Sequence, residues 1–579
     1  MTGEMKTTRD GQNPLLTSPE GRGTSADEQK PLLTSPGGRG TRVAALEATA
    51  DGRRPTTNQP GDPLTPAPLL PRSPALSILA TAIGLFAVAV ALFAAIQWAT
   101  PGIVGNDGYY HIKMGYLMRQ EGLTPAFEAL PNTILNAEAY YDHHLLFHLF
   151  LAPFAGVDPA ADGGAALTRG AKLAAVVLPA LAVVAVWWLL RGQGVAYAAV
   201  WALGLFAVSE AFLYRMSMGR AQAGAVIFLA LALHWLLNGR HKWLAPLGFL
   251  FVWFYNAFPL LLVVAGVYVV AVFMLERRVA WGAMAFPAVG IALGLLINPY
   301  FPENVVFIAG HLLPKVGASV VPVGNEWSPY ETWTLATNSA GALVAVLLGA
   351  LALGWREERI DLASLVGLGL VGVFGLMVFK SRRFVEYFPV MALLFLAFSS
   401  APLLGRVVGK REELNTDGHG FNGFYGLGLV VIVALALGGL VYITVRDARG
   451  LVADSRPADL YAGAMLFLRA EGEKRDGDVT VFQTDWDDFT RQFFYYDQAR
   501  YINGLDPTFM QLHDAALYDE WVDITRGRVD SPGQAIRDRF GAQFVFSDVG
   551  HEGFLAAAAD DPLLREIYRD EYAVVFAVQ

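Results

Sequence analysis

Two acidic residues lie in short segments whose composition suits chemistry at a membrane surface. Asp107 falls in the sequence Gly-Asn-Asp-Gly-Tyr-Tyr-His at 105–111, and Glu326 falls in Asn-Glu-Trp-Ser-Pro at 325–329. Carboxylates beside a bilayer can bind a divalent metal or remove a proton from an acceptor. Hydropathy assigns both loops to the same side of a membrane, so we predict that one active site contains both carboxylates.

Both carboxylates also have a plainer interpretation. Asp107 falls in an Asn-Asp-Gly turn ahead of a helix, where aspartate is common for capping reasons alone. A single loop glutamate such as Glu326 is usually only solvated, and its position beside Trp327 and Pro329 is what sets it apart. We favour a functional role for both residues.

Three cations follow a predicted span at Lys380, Arg382 and Arg383. They break the positive-inside pattern, because the predicted topology puts them on the outer side. Planar guanidinium groups bind phosphate in a bidentate manner, whereas long cations at a bilayer surface also snorkel towards headgroups. We favour phosphate binding over a simple interfacial anchor.

The composition is that of a membrane protein. Of the 579 residues, 54% are hydrophobic and only 16% are charged, which is more apolar than a soluble chain of this size tolerates. The formal net charge of -9 is unlike that of a polybasic nucleic-acid binder, so we expect no nucleic-acid partner. The chain has no cysteine, so any metal must take oxygen or imidazole ligands.

Residues 1–72 are predicted to form a disordered cytoplasmic tail. They are rich in proline, glycine, serine and threonine, and the segment PLLTSPEGRGT at 14–24 recurs almost unchanged at 31–41. Such a segment cannot bury enough apolar surface to offset the loss of backbone entropy on folding.

Residues 73–444 are predicted to form a polytopic α-helical membrane domain. We count about eleven apolar stretches, each of roughly the 17 to 25 residues that a bilayer requires. The break at 255–259 also permits one broken helix in place of two spans. The predicted spans lie near 75–97, 168–190, 194–212, 221–238, 242–256, 258–275, 280–297, 340–355, 361–379, 384–402 and 425–444.

Basic turns give the predicted orientation. Turns with Arg191, Arg240, Arg277, Arg356 and Arg406 alternate with less basic loops, so they are cytoplasmic by the positive-inside rule. The N-terminus is then inside, and the alanine- and glycine-rich composition favours the cytoplasmic membrane of a GC-rich bacterium. The predicted outward segments are the long first loop 98–167, the loops 213–220, 298–339 and 380–383, and everything after about residue 445.

Residues 445–579 are predicted to form a soluble extracytoplasmic α/β domain. Apolar runs shorten, charge rises, and short patches at 479–482 and 544–546 alternate with helical stretches. Trp486 and Asp487 stand near its start. Two interpretations of this pair are equally good. Trp486 is buried in the core of the domain, or the pair binds a hydroxyl group of the acceptor.

Four motifs follow one another along the chain. The first is Asp107, just after the first span, with a long loop that leads to the aromatic, histidine-rich segment at 140–144. The second is RMSMGRAQAG at 215–224, and the third is VPVGNEWSPYETW at 321–333. The fourth is DWDDF at 485–489.

In this order the motifs resemble the GT-C superfamily of membrane glycosyltransferases, most closely the oligosaccharyltransferase catalytic subunit. The second resembles its Arg-Ser-x-x-Gly segment, the third its loop with a Glu followed by a Pro and a Trp, and the fourth a diverged Trp-Trp-Asp-Tyr-Gly acceptor motif. The resemblance implies transfer of a sugar or oligosaccharide from a polyprenyl-phosphate or pyrophosphate carrier to a protein, lipid or glycan acceptor outside the cytoplasm, with inversion at the anomeric carbon.

The resemblance also implies roles for individual residues. Asp107 would be the base or a metal ligand, with Glu326 as its partner. Trp486 and Asp487 would bind the acceptor. The cations implied for the donor phosphate are Arg215, Arg220, Lys380, Arg382 and Arg383.

The sequence departs from this family at the metal ligands. Where the second motif of the oligosaccharyltransferase subunit supplies acids, this chain has Arg220 and Gln222. One interpretation is that the enzyme works without metal and Arg220 neutralises the phosphate directly. The other is that a divalent metal, Mn²⁺ or Mg²⁺, is held by Asp107 and Glu326 with help from Asp142, His143 or His111.

His144 and His148 are four residues apart and share a helical face, a spacing able to hold a metal. A partly buried, hydrogen-bonded pair at the start of the helix is the interpretation that we favour.

Two further functions stay open. A metal-independent transferase that moves one sugar from a polyprenyl phosphate to lipid, glycan or Ser/Thr would keep its activity in a chelator. A non-enzymatic flippase or exporter of lipid-linked sugars would also be polytopic. Transporters concentrate charges within their spans, often in repeated halves, whereas the charges here collect in one set of loops.

Overall fold

The computed structural model describes residues 74–312, 326–416, 422–475 and 478–579. All of them fall within one compact unit, Arg72–Gln579. The predicted tail at 1–72 and the first five residues of the predicted glutamate motif, 321–325, lie outside the described residues.

Helices dominate the described chain up to residue 473. Those before residue 313 are α1 (Pro74–Gln97), α2 (Asp107–Glu121), α3 (Leu145–Leu151), α4 (Pro159–Asp162), α5 (Ala165–Gly192), α6 (Ala198–Leu203), α7 (Glu210–Ser217), α8 (Gln222–Leu237), α9 (Leu244–Phe254), α10 (Pro259–Glu276), α11 (Trp281–Leu296) and α12 (Glu303–Phe307). Those from residue 326 to residue 473 are α13 (Thr332–Asn338), α14 (Ala340–Trp355), α15 (Leu362–Lys380), α16 (Phe388–Thr416), α17 (Asn422–Val452) and α18 (Ala462–Glu473).

Six helices in the described part of the chain are long and apolar enough to cross a membrane, or up to eight spans if each of two bent helix pairs crosses once. The pairs are 198–206 with α7, bent by 84°, and α13 with α14, bent by 78°. A mostly helical membrane protein is therefore confirmed, but the predicted count of about eleven spans is not. Several predicted spans are shorter helices, such as α8 and α11.

The two bends contact one another. Ser209 caps α7 by accepting a hydrogen bond from the backbone N–H of Phe212, and its hydroxyl donates to the carbonyl of Asn338 at 2.9 Å. The backbone N–H of Ala342 donates to the carbonyl of Val208 at 2.8 Å. Polar groups that lose their helical hydrogen bonds at one bend thus form hydrogen bonds with groups of the other bend. Broken helices are tolerated inside membrane proteins when their backbone groups find such partners.

A five-stranded sheet lies at the C-terminal end of the chain. Its strands are β1 (Thr480–Gln483), β2 (Arg500–Tyr501), β3 (Phe544–Asp548), β4 (Leu564–Arg569) and β5 (Ala573–Val578). The strand order is β2-β1-β3-β5-β4, with β1 parallel to both neighbours and β5 antiparallel to both of its own. The helices between the strands are α19 (Phe489–Tyr495), α20 (Pro507–His513), α21 (Ala515–Thr525), α22 (Pro532–Asp538) and α23 (Glu552–Ala559).

Helix α2 connects the membrane helices to the sheet region. On one side it packs against α3 and α5, and on the other against α19. The ring of Tyr109 meets Phe494 edge to face at 5.2 Å, and the ring of Tyr110 lies 5.7 Å from that of Phe493. The fully buried ammonium of Lys113 lies 3.0 Å from the carboxylate of Asp497. These contacts fix the start of α2, and with it Asp107, against the sheet region.

Candidate active site

Asp107 is the first residue of α2 and follows a tight turn. Gly105 has a φ of +77°, a left-handed conformation that a side chain would strain. A carboxylate in the first turn of a helix also lies in the favourable field of the helix N-terminus. The turn directs the chain from α1 into α2 and leaves the Asp107 side chain 30% exposed.

Two glycines bring Arg220 to Asp107. Gly108 and Gly219 pack backbone against backbone, since a Cβ built on Gly219 would lie only 3.1 Å from the Cα of Gly108. This approach brings the loop after α7 to the start of α2. Arg220 then reaches two carboxylates at once: its Nη2 lies 2.8 Å from Asp107 Oδ2, and its Nη1 lies 2.7 Å from Glu326 Oε1.

The Glu326 loop is held by backbone hydrogen bonds to the 3-10 helix Arg382–Glu386. The N–H of Arg383 donates to the carbonyl of Glu326 at 3.2 Å, and the N–H of Arg382 donates to that of Ser328 at 3.0 Å. The hydroxyl of Ser381 also donates to the carbonyl of Glu326, at 2.9 Å. The 326–329 loop and the predicted cation cluster are therefore one structural unit.

Three guanidinium groups surround the side chain of Glu326. Besides Arg220, Arg215 donates to Glu326 Oε1 at 2.5 Å, and Nη1 of Arg383 lies 3.9 Å from Oε2. Burial raises the pKa of Glu326, but the three cations outweigh burial and hold that pKa well below its usual range. Glu326 is therefore ionised.

Glu386 is a site residue that sequence reasoning missed. Its side chain is 1% exposed, and it accepts from both Nε and Nη2 of Arg215, with the Nε contact at 2.9 Å. Arg215 is thus clamped between Glu386 and Glu326. A glutamate only three residues from the predicted cation cluster, in an apolar setting, was the signal that could have identified it.

The sheet region contributes Asp487 to the same site. The side-chain amide of Asn106 donates to Asp487 Oδ2 at 2.5 Å. Arg491 donates from Nε to Asn106 Oδ1 at 3.4 Å, and its guanidinium stacks over the ring of Tyr109 at 4.0 Å. Asn106 and Arg491 were also missed, because their role depends on the docking of α19 against α2.

Burial, together with the negative charges of Asp107 and Asp485, raises the pKa of Asp487 to about 6, although the hydrogen bond from Asn106 and the charge of Arg220 act to lower it. Burial likewise raises the pKa of Asp485 and, more strongly, that of Asp488. The sheet region thus presents a carboxyl group that titrates close to neutral pH, which is the range useful for acid–base chemistry.

Many of these side chains line one cavity of about 760 Å³. Its wall includes the predicted residues Asp107, Arg220, Glu326, Arg383 and Trp486 together with Asp487. Further charged residues that the sequence did not single out are Asp454, Arg456, Asp485, Arg491 and Asp506. Residues 451–453, at the end of α17 and just after it, also line the wall, so the cavity lies where a long apolar helix meets the sheet region.

Three of the five predicted cations, Arg215, Lys380 and Arg382, are outside this cavity wall. Arg382 donates from Nε to the carbonyl of Pro329 at 3.1 Å, and its guanidinium stacks over the ring of Tyr330 at 5.2 Å. Lys380 is exposed at the end of α15. Of the predicted trio, only Arg383 lines the cavity, and its Nη2 donates to the hydroxyl of Tyr255 at 2.8 Å.

A divalent metal does not fit between Asp107 and Glu326 as they are arranged. Each carboxylate already faces an Nη atom of Arg220, and a second cation at that point would meet like charge. Asp142 and His111, the predicted helpers, flank His148 instead, each with an atom 2.7 Å from its ring.

Imidazole groups offer a different place for a metal. His111, His144 and His148 form the one group of three or more potential ligands found among the described residues, and their nitrogen atoms lie within 4.8 Å of one another. Burial holds the pKa of His111 and of His144 well below the usual range, so both rings are neutral, which is the form that binds metals.

The cavity wall can bind an anion and accept a proton at the same site. Arg220 and Arg383 present guanidinium groups to the cavity, which suits bidentate contact with phosphate. Asp107 and Asp487 present carboxyl groups at the same wall, and either could accept a proton from a bound nucleophile.

No family model and no curated protein sequence match the chain. Solved structures do match it. The oligosaccharyltransferase of Archaeoglobus fulgidus in the apo form gives a TM-score of 0.60 at 12% sequence identity, over 86% of this chain and 74% of that chain. Archaeal AglB of the same organism, in complex with an inhibitory peptide and a dolichol-phosphate, gives 0.61 at 13% identity, over 87% and 74%.

A third structure of the Archaeoglobus fulgidus oligosaccharyltransferase, tethered to an acceptor peptide with the NVT sequon, gives a TM-score of 0.56 at 14% identity, over 87% of this chain and 74% of that chain. At this level of identity, the likeness establishes the fold alone. The resemblance to GT-C membrane glycosyltransferases, predicted from the motif series, is thereby confirmed as a likeness of fold.

Proposed function

We propose that the chain is a GT-C-type glycosyltransferase that moves a sugar or an oligosaccharide from a polyprenyl-phosphate or pyrophosphate carrier to an acceptor outside the cytoplasm. The observation that carries this proposal is the contact of Arg220 with both Asp107 and Glu326 at the cavity wall. A fixed cation beside two carboxylates suits a reaction in which an anionic phosphate leaves and a nucleophile loses a proton.

The donor class is supported by the shape of the cavity and by a neighbour in fold. The cavity wall includes Leu451 and Val452, at the end of α17, so a lipid tail can stay in the bilayer while its phosphate enters. The archaeal AglB structure is a complex with a dolichol-phosphate. We assign Arg220 and Arg383 to the donor phosphate, because both line the cavity, and Arg215 to the support of Glu326. Lys380 and Arg382 then interact with the lipid headgroups.

The transfer step follows from these assignments. The acceptor oxygen or nitrogen attacks the anomeric carbon on the face opposite the phosphate, and the bond between that carbon and the phosphate oxygen breaks. The electron pair leaves with the phosphate, whose charge Arg220 and Arg383 stabilise. The proton of the acceptor passes to Asp107, and the anomeric configuration inverts.

The acceptor is proposed to bind at the sheet region. Trp486 and Asp487 line the same cavity as Arg220 and Arg383, and Asp487 can accept a hydrogen bond from an acceptor hydroxyl or amide. An acceptor peptide is tethered in one structure of the Archaeoglobus fulgidus enzyme, which supports a protein acceptor. Lipid and glycan acceptors would use the same groups.

We further propose that the N-terminal tail at 1–72 is cytoplasmic and that residues 445–579 are extracytoplasmic, in the cytoplasmic membrane of a bacterium. Basic residues in the turns of the 73–444 membrane domain support this orientation by the positive-inside rule.

The contact of Arg220 with both carboxylates favours a second candidate, a metal-independent transferase of a single sugar from a polyprenyl phosphate. In that enzyme the guanidinium group would do what a divalent metal does elsewhere, which is to neutralise the leaving phosphate. Transfer that continues unchanged in EDTA would select this candidate over a metal-dependent one.

The test is an in vitro transfer assay in detergent with defined polyprenyl-linked donors. We expect Asp107→Asn and Glu326→Gln each to lower transfer by at least about 100-fold, the usual size of a lost acid–base or electrostatic group. Glu331→Gln is the matched control, because Glu331 lies in the same loop but is exposed and caps α13.

Full transfer by both site variants would overturn the assigned roles. If intact lipid-linked sugar crossed the vesicle membrane without cleavage of the bond between sugar and phosphate, the protein would be a flippase instead.

A further inference from the structure

Three buried histidines converge from α2 and from the start of α3. His111 lies on α2, His144 directly precedes α3, and His148 lies within α3. Nδ1 of His111 lies 2.7 Å from Nε2 of His148, and the ring centroids of His111 and His144 are 4.6 Å apart. Ligand atoms in a tetrahedral zinc site lie roughly 3.3 Å apart, so shifts of about an ångström would bring all three nitrogens onto one ion.

His144 has a buried ring nitrogen without a hydrogen-bond partner. This nitrogen is Nδ1, and the residue is only 9% exposed. A buried polar atom without a partner costs free energy, roughly 1 to 3 kcal/mol. A metal bound at this ring would remove that cost.

Asp142 has the position of an outer carboxylate that orients a metal ligand. Its Oδ2 lies 2.7 Å from Nδ1 of His148, and its Oδ1 accepts from the backbone N–H of His144 at 2.9 Å. Nδ1 of His148 therefore carries the proton, and the lone pair of Nε2 points towards His111. Metal-bound histidines characteristically donate the other N–H to a carboxylate in this way.

The charge of Asp142 also calls for a cation. The carboxylate is buried, and its one ion pair among the described residues is with His148. A buried carboxylate is costly unless it is compensated. A divalent ion on the far side of the His148 ring would supply that compensation.

We propose that His111, His144 and His148 bind one divalent transition metal of the zinc type, with Asp142 as the outer carboxylate and a fourth position open to water. Imidazole nitrogen suits Zn²⁺ and its neighbours in the periodic table, whereas Mg²⁺ prefers oxygen ligands. This site goes beyond the proposed transfer function and is distinct from the Mn²⁺ or Mg²⁺ site considered at Asp107 and Glu326.

The site would act on the cavity through one aromatic ring. His144 stacks on Tyr255 with centroids 5.3 Å apart, and the hydroxyl of Tyr255 accepts from Arg383. An ion that fixes His144 thereby fixes a cation of the cavity wall. The metal is in this respect a positioning device, and it does not need to touch the donor.

The first test is the metal content of the full-length protein in detergent. The protein is stripped with 1,10-phenanthroline, supplied with Zn²⁺ or Co²⁺, freed of excess metal, and analysed by elemental mass spectrometry. We expect about one equivalent of either ion and, with Co²⁺, the visible absorption of a four-coordinate nitrogen site. Retention of less than a tenth of an equivalent by the wild-type protein would overturn the proposal without any variant.

Variants then locate the ion. His144→Phe keeps an aromatic ring against Tyr255 and should abolish retention, and Asp142→Asn should weaken zinc affinity by roughly 10- to 100-fold. His234→Phe is the matched control, because His234 is also buried, also has an Nδ1 without a partner, and lies elsewhere on α8. Full retention by the His144 variant, or equal loss in the His234 variant, would contradict the assignment. Metal content is read independently of sugar transfer, so either proposal can fail alone.

Discussion

Nη2 of Arg220 lies 2.8 Å from Oδ2 of Asp107, although the two residues are separated by more than a hundred positions in the chain. The same guanidinium holds Glu326, so one cation organises both carboxylates that the sequence singled out. A positively charged side chain therefore stands between the two carboxylates that the sequence analysis considered as metal ligands.

Replacing Arg220 by lysine should lower kcat/KM for the donor by about 100-fold, the usual effect of removing one preorganised donor to a developing charge. A lysine keeps the charge, but its single nitrogen cannot bridge Asp107 and Glu326 at once. Transfer rates at several donor concentrations measure the effect. Arg356→Lys is the control, since Arg356 is also a buried arginine in an ion pair, with Asp361, but outside the cavity. Equal losses in both variants would mean that the effect is on folding.

The rate of transfer should fall as the pH drops below about 6, the value to which burial raises the pKa of Asp487. The sign follows because protonation below that pKa removes the negative charge of the carboxylate, which weakens the hydrogen bond that it accepts from the acceptor. A profile of kcat/KM between pH 5 and pH 8 measures this limb. The Asp487→Asn variant should be slower and should not show this fall of kcat/KM at low pH. The control variant Glu331→Gln should still show it. If the Asp487 variant showed the same fall, another group would be responsible for the pH dependence.

Replacing Glu386 by glutamine should destabilise the protein by about 2 to 3 kcal/mol, because Arg215 then loses the buried one of its two anionic partners. The loss is smaller than for a fully unpaired charge, since Glu326 remains. Thermal unfolding in detergent micelles measures it as a lower melting temperature. Glu358→Gln removes an exposed partner of Arg406 and should leave the melting temperature unchanged. A Glu386 variant as stable as the wild type would contradict this account of the buried pair.

Gly219→Ala should reduce transfer by about tenfold while leaving the fold intact. The added methyl group would lie 3.1 Å from the Cα of Gly108, so the Arg220 loop must move away from Asp107 by a few tenths of an ångström. Transfer rate and melting temperature are measured together. Gly450→Ala is the control, because a Cβ at Gly450 meets nothing within 4 Å. Unchanged transfer by the Gly219 variant would show that this close approach does not set the site geometry.

Much of the architecture was predictable from local sequence. Long apolar stretches identified helices such as α1, α5 and α15, because hydropathy belongs to individual residues and adds along a window. The count of spans was less predictable. The break before Ser209 is stabilised by Asn338, a residue far along the chain, and a local window does not contain that contact.

The site residues divide in the same way. Asp107, Glu326 and Asp487 stood out by residue type and motif, and the structure brings all three to one cavity wall. The sequence could not show which of Arg382 and Arg383 lines the cavity. The two arginines are adjacent in the chain, and only the fold decides which side chain points towards the cavity wall. Glu386 escaped notice because its importance comes from Arg215, which reaches it from α7.

By itself, the sequence determined that this chain has the composition of a membrane protein and that its charges are concentrated in particular loops. It also showed that these loops contain carboxylates and arginines, which suit chemistry on a phosphate. The tertiary structure alone decided that Arg220 stands between Asp107 and Glu326 and that three histidines from α2 and α3 meet. Composition and hydropathy are sums over neighbours in the chain, whereas these meetings depend on close packing between distant segments, such as the backbone contact of Gly108 with Gly219.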